Sequence, residues 1–262
     1  MTSDPRPEGL RLVFEDHFDG PVLDPGVWFP HYLPAWSSRA ATAATYDLRD
    51  SCLRLFLPPG HGSWLDGVHT PPIRVSGIQS GNLSGPVGSP IGQQPWRAGM
   101  PVLEAQDRFE GWTPTFGYLE MRARAVISPR SMVAWWMIGL EGGPETSGEI
   151  CVAEIFGDAV GPEPSAEVGM GLHTFRDPGT AEDFAAPRVS IDVAEFHTYA
   201  VDWKQDAVEF FIDGAAIRRC VRPPTYPMQM MLAVFDFPER SVDDDDDAVP
   251  ELVIDVMRGY AR

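Results

Sequence analysis

Apolar and polar residues alternate along much of the chain, and few stretches keep helical spacing. Gly117–Ala125 shows the pattern most clearly: Tyr118, Glu120, Arg122 and Arg124 alternate with Leu119, Met121, Ala123 and Ala125. A period of two describes a half-buried strand with one polar face. Similar runs at Leu10–Phe14, Cys52–Leu57, Val133–Ile138, Glu149–Phe156, His197–Trp203, Ala207–Ile212, Gln229–Val234 and Leu252–Tyr260 predict further strands, separated by turns rich in Pro, Gly and Asp. VEFFIDGAAI, residues 208–217, predicts a hairpin turning at Asp213-Gly214. No internal repeat or linker divides the chain. The expected organisation is a short tail over residues 1–9 and a single β domain over 10–262. A long weakly patterned insertion runs from about 81 to 111, either a binding loop or a surface excursion.

Composition narrows this to an antiparallel two-sheet sandwich with a cleft on its concave sheet. The 262 residues include 25 glycines and 26 prolines, punctuation that long helices do not tolerate. A chain of this size can bury a sufficient core without a disulfide or metal staple. Its three cysteines are scattered, with no CxxC spacing. The net charge is −18, and it is still −13 without the run Asp243–Asp247, so the acidity is general. Such a surface repels nucleic acid and anionic lipid and suits a neutral or cationic substrate. The longest apolar run, Met132–Leu140, is too short to span a bilayer. MTSDPRPEG contains no secretory signal pattern, so a cytoplasmic chain is expected, or a secreted one if the chain is shortened.

The residues that point to a reaction lie in SGEICVAEIFG, residues 147–157, where Glu149 and Glu154 stand five apart in a β-prone run. In a regular strand they would point to opposite faces. One extra residue near Val152-Ala153 would restore a common face, as a β-bulge does. Glu149, Cys151 and Glu154 would then enter one cleft, with Ile150, Val152 and Ile155 in the core. Paired carboxyls held this way can cleave a glycosidic bond. An ordinary strand with one glutamate solvated is the alternative.

GEICVAEIFG resembles the active-site strand of glycoside hydrolase family 16, whose pattern is Glu-x-Asp-x-x-Glu. FEDHFDG at 14–20, FGYLEMRARA at 116–125, AWWMIG at 134–139, FHTYAVDWKQDAVEFFIDG at 196–214 and LVIDVMRGY at 252–260 resemble other family motifs in the same order. The resemblance implies a jelly-roll sandwich and retaining hydrolysis or transglycosylation of β-linked glucans or galactans. It implies Glu149 as nucleophile and Glu154 as acid/base. Trp136 and His173 become cleft residues, and Asp255 becomes part of a structural calcium site remote from catalysis. No cofactor is required for catalysis. Trp96 and Trp112, in or beside the insertion, could close over substrate, and Arg122 could enter the cleft paired with Glu120 or remain a solvated strand residue. Three positions depart from the family pattern: Cys151 replaces the middle Asp, His17 a Glu, and Ala233 an Asn. A thiol is a weak donor and cannot tune a neighbouring carboxylate as an Asp does. The reading is a monomeric endo-β-glucanase of the laminarinase or lichenase type. The alternatives are a non-catalytic β-glucan-binding lectin and a galactan-specific enzyme.

Overall fold

The computed structural model describes residues 9–241 and 248–262, so the aspartate run at 243–247 and almost all of the N-terminal tail lie outside the described residues. The nine predicted runs are all strands, with ends within two residues of those expected; Glu149–Phe156, His197–Trp203 and Ala207–Ile212 match at both ends. They lie in two large antiparallel sheets. The eight-stranded sheet has the order Ala215–Val221, Ala207–Ile212, His197–Trp203, Gly117–Val126, Glu251–Ala261, Cys52–Phe56, Tyr46–Arg49, and Arg11–Asp16 also pairs with Glu251–Ala261. The six-stranded sheet has the order Asp183–Ala185, Gly169–His173, Glu149–Phe156, Ser131–Gly139, Met228–Asp236, Arg74–Gln79. Asp213 and Gly214 both take positive φ, 47° and 79°, which gives the expected tight hairpin its twist.

The core follows from the period of two. Leu119, Met121, Ala123 and Ala125 turn inward to meet Trp135, Met137, Ile150, Val152 and Leu232 between the sheets. The six-stranded sheet is buried on its other face as well. There Met132, Ala134, Trp136, Cys151 and Phe235 join a second apolar cluster, covered by Tyr32, Trp36, Trp64, Ile73, Met100 and Val102. Ser131–Gly139 and Met228–Asp236 are therefore buried at every position, which explains their near-continuous apolar sequences.

The insertion is not a surface excursion. Gly81–Asn82 pairs with Phe109–Glu110 at its base, while Met100 and Val102 lie in the second cluster. The carbonyl of Gln93 accepts the Trp36 indole N–H at 2.7 Å. Asn82, the only asparagine, is buried and bonded to Gln79 and Gln106, so its sequon is not presented for modification.

Candidate active site

The carboxylate strand runs between Ser131–Gly139 and Gly169–His173. Along the first neighbour, Glu149 faces Ile138 and Cys151 faces Trp136; then Ala153 faces Trp135 and Glu154 faces Ala134. Val152 has no partner in this ladder and is the extra residue of a bulge between Trp135 and Trp136. The bulge reverses the parity of the strand. Glu149, Cys151 and Glu154 consequently line one cavity of about 260 Å³, while Ile150, Val152 and Ile155 stay in the inter-sheet core. The neighbouring strand accommodates the bulge with glycine. Gly171, opposite Cys151, takes φ +147°, and a Cβ on Gly169, opposite Glu154, would lie 2.6 Å from the Phe184 ring.

Glu149 is almost fully buried. Its Oε2 accepts a hydrogen bond from the Gln94 side-chain amide at 2.5 Å, and Gln94 Oε1 accepts from the Trp136 indole at 3.1 Å. The backbone N–H of Gln94 donates to Glu141 Oε1 at 2.7 Å, and buried Glu141 also pairs with Arg176. Burial first, and the Glu154 charge second, push Glu149 up to about 8 against the Gln94 hydrogen bond. Burial also raises Glu154, with the His173 charge opposing it. Burial raises Glu141 to about 7. The Cys151 thiol, raised by burial and then by both glutamates, points to the Gly169 carbonyl at 3.7 Å. It is a neutral thiol bonded to backbone, with no hydrogen bond to either glutamate. Buried Glu149 and partly buried Glu154 share one cleft, and as a pair they keep a proton into the neutral range. A carboxylate beside a carboxylic acid can combine nucleophilic attack with proton donation.

The other expected site residues divide between the two faces of the sandwich. Trp136 walls the cleft with Tyr32 and Phe235. His173 lines the cleft too, but its Nδ1 meets Glu182 at 2.8 Å, so Glu182 and not Glu149 is its carboxylate partner. Trp96 lines an adjoining cavity of about 540 Å³, which shares Tyr32, Gln94 and Phe175 with the glutamate cleft.

Arg122 and Trp112 correct the expectation, because neither reaches the cleft. Arg122 is on the outward face of the eight-stranded sheet, paired with Asp255 at 2.5 Å and lining a cavity of about 710 Å³ there. Its strand turns Met121 and Ala123 into the core, which sends Arg122 to the side of the sandwich opposite the glutamates. Glu120 bonds Arg258 and Tyr260 instead of Arg122. Trp112 stacks on Phe14 with ring centroids 3.9 Å apart, because Gly259 leaves space for its ring. Asp255 spends its carboxylate on Arg122. Among the described residues no group of three or more His, Cys, Asp or Glu is placed to hold a metal ion.

Sequence reasoning missed Gln94, Glu141 and Phe175. Gln94 lies in the unpatterned insertion and Glu141 in a turn, while Phe175 is 58% exposed beside His173. Nothing in their local sequence marks them.

Comparison with known proteins accords with this geometry. Over 231 residues the chain is 27% identical to endo-1,3-1,4-beta-glycanase EglC of Rhizobium meliloti (strain 1021), a match covering 85% of this chain and 45% of that protein. The chain thus spans less than half the length of this relative. In fold it is similar to a GlcNAcα1-4Gal releasing endo-β-galactosidase from Clostridium perfringens, with a TM-score of 0.83 and 23% identity over 99% of this chain and 64% of that one. It is also similar to the laminarinase catalytic domain from Thermotoga maritima MSB8, with a TM-score of 0.68 and 18% identity over 97% of this chain and 98% of that one. The sandwich is the jelly roll expected from the sequence. The family model for glycosyl hydrolases family 16 matches residues 111–243, more than half of the chain and the whole carboxylate strand, and the chain belongs to that family.

Proposed function

We propose that the chain is a retaining endo-β-glycan hydrolase acting on β-1,3-linked or mixed β-1,3/1,4-linked glucan. The observation that carries this reading is the Val152 bulge, which brings Glu149 and Glu154 to one wall of a single cleft. A Glu149 oxygen attacks the anomeric carbon as the glycosidic C–O bond breaks, and Glu154 gives its proton to the leaving oxygen. A water molecule then attacks the glycosyl ester. Glu154 takes the proton of that water, and Glu149 leaves as carboxylate. The Gln94 amide at Glu149 Oε2 favours the ionised form that attack requires. Trp136, Tyr32 and Phe175 offer aromatic surface to sugar rings.

The test is reducing-sugar release from laminarin and lichenan by the wild type, Glu149→Gln and Glu154→Gln, with the anomer first formed identified by NMR. Release by the wild type alone, as the β-anomer, supports the reading. Undiminished release by Glu149→Gln, or an α-anomer as first product, overturns it. One observation favours a second reading, a glucan-binding protein without turnover: the residue between the glutamates is a thiol bonded to backbone. Binding of laminarin by the wild type with no release would select that reading.

A further inference from the structure

The cavity of about 540 Å³ beside the glutamate cleft has a different chemistry from the cleft itself. Its volume is in the range of sites that enclose a ligand. A run of rings forms one wall: Trp64 and His69 lie 5.8 Å apart, His69 and Trp96 4.7 Å apart. The run ends in the Arg97 guanidinium, 5.4 Å from the Trp96 ring centroid. Arg176 lines the same cavity, with a 43% exposed side chain bonded to Glu141 through one guanidinium nitrogen.

The backbone around this cavity is strained. Of eleven non-glycine residues with positive φ among the described residues, four line it: Leu33, Gln94, Glu141 and Phe175. Left-handed non-glycine residues are costly and concentrate where a surface is shaped for a ligand.

The charge balance is also unusual for this protein. In a chain with 38 acidic and 20 basic residues, most arginines are held by carboxylates. Arg97 is exposed and has no ion pair among the described residues, and its contact with Trp96 leaves its hydrogen-bond donors available. Among the described residues the only carboxylate lining the cavity is Glu141, which pairs with Arg176. The cavity therefore presents an uncompensated positive charge within a strongly acidic molecule, and it opens beside the proposed nucleophile.

We infer that this cavity is a binding arm of the cleft for a sugar unit carrying an anionic substituent, a carboxylate or a sulfate ester, with Trp96 stacking on the ring and Arg97 and Arg176 holding the anion. The inference rests on the glycan-hydrolase reading for the identity of the polymer, but not for the charge selectivity. Arginine binds planar oxyanions through paired N–H donors, which gives both affinity and orientation.

The test measures binding by calorimetry at low salt, using the Glu149→Gln protein so that no turnover intervenes. The ligands are laminarin oligosaccharides in three forms, neutral, carboxymethylated and sulfated. At least one charged form is expected to bind about tenfold tighter than the neutral form, the return from one charge-assisted hydrogen-bonded contact. That ratio is expected to fall to about one in Arg97→Ala and to survive in Arg219→Ala, the same charge loss on the other sheet. Which charged form gains identifies the substituent. Equal or weaker binding of both charged forms overturns the inference despite intact folding, since the global charge alone would produce it. A preference that survives Arg97→Ala also overturns it. If the wild type releases no sugar, the hydrolase reading fails, while the binding ratio still decides this one.

Discussion

Replacing Gln94 by methionine tests whether one hydrogen bond sets the ionisation of Glu149. The substitution keeps the length of the side chain and removes both its polar atoms. Glu149 Oε2 loses its donor at 2.5 Å, and the Trp136 indole loses its acceptor at 3.1 Å. Hydrogen bonds to charged groups contribute about 1.5–3 kcal/mol. At about 1.4 kcal/mol per pKa unit, that loss raises Glu149 by about 1–2 units. Glu149 starts at about 8, because burial outweighs the help from Gln94. The sign is fixed: the lost bond served only the ionised form, so the variant holds its proton to higher pH. At pH 7 the ionised fraction falls by about 10- to 100-fold, and on the proposed chemistry kcat/KM falls with it. The assay is a ¹³C NMR titration of Glu149 in a Glu154→Gln background, where the pair no longer titrates as a unit. A shift of less than about 0.3 unit, or a downward shift, would show that this hydrogen bond does not set the ionisation of Glu149.

Two further outcomes are expected. Cys151→Asp puts a third carboxyl at a site that is 2% exposed between the glutamates, and its charge should hold the Glu154 proton to higher pH. The descending limb of the pH–rate profile is expected to move up by at least about half a unit; an unchanged profile contradicts tuning by the middle residue. Gly259→Ala places a Cβ 2.1 Å from Trp112 Cζ2 and should dislodge the ring from Phe14 at a cost of about 2–3 kcal/mol. A Tm lower by about 5–10 °C is expected by calorimetry, with kcat per folded molecule unchanged because the site is on the other sheet; a Tm within about 1 °C of wild type would count against the packing argument.

The strands and the bulge were legible because each rests on a local rule. Period-two alternation fixed which residues of Gly117–Val126 enter the core, and an odd spacing between two glutamates on one cleft face required an extra residue, supplied by Val152. Gly169–His173 hid from the same rules because its glycines weaken strand propensity. Those glycines admit Phe184 and the bulge, a tertiary demand. Arg122 and Trp112 were misplaced for a related reason. Alternation assigns a residue to the polar face of a strand but not to one side of a two-sheet molecule. Gln94 was illegible because its role depends on a left-handed turn that brings a loop amide onto a carboxylate from another element.

The six-stranded sheet is apolar on both faces, but the two coverings differ in origin. The inter-sheet core is drawn largely from strands. The outer covering and the walls of the cleft include residues of the segments 32–36, 64–73, 94–102, 141–147 and 173–176, none of which contributes to that core. The loop-built covering and the strand-built core are thus separate sets of residues, so recharging an exposed position of those segments, such as Arg97, is expected to leave the register of the bulged strand unchanged. New specificities are expected from changes at the exposed positions of those five segments, and a library confined to such positions should retain more folded members than one of equal size spread over the strands.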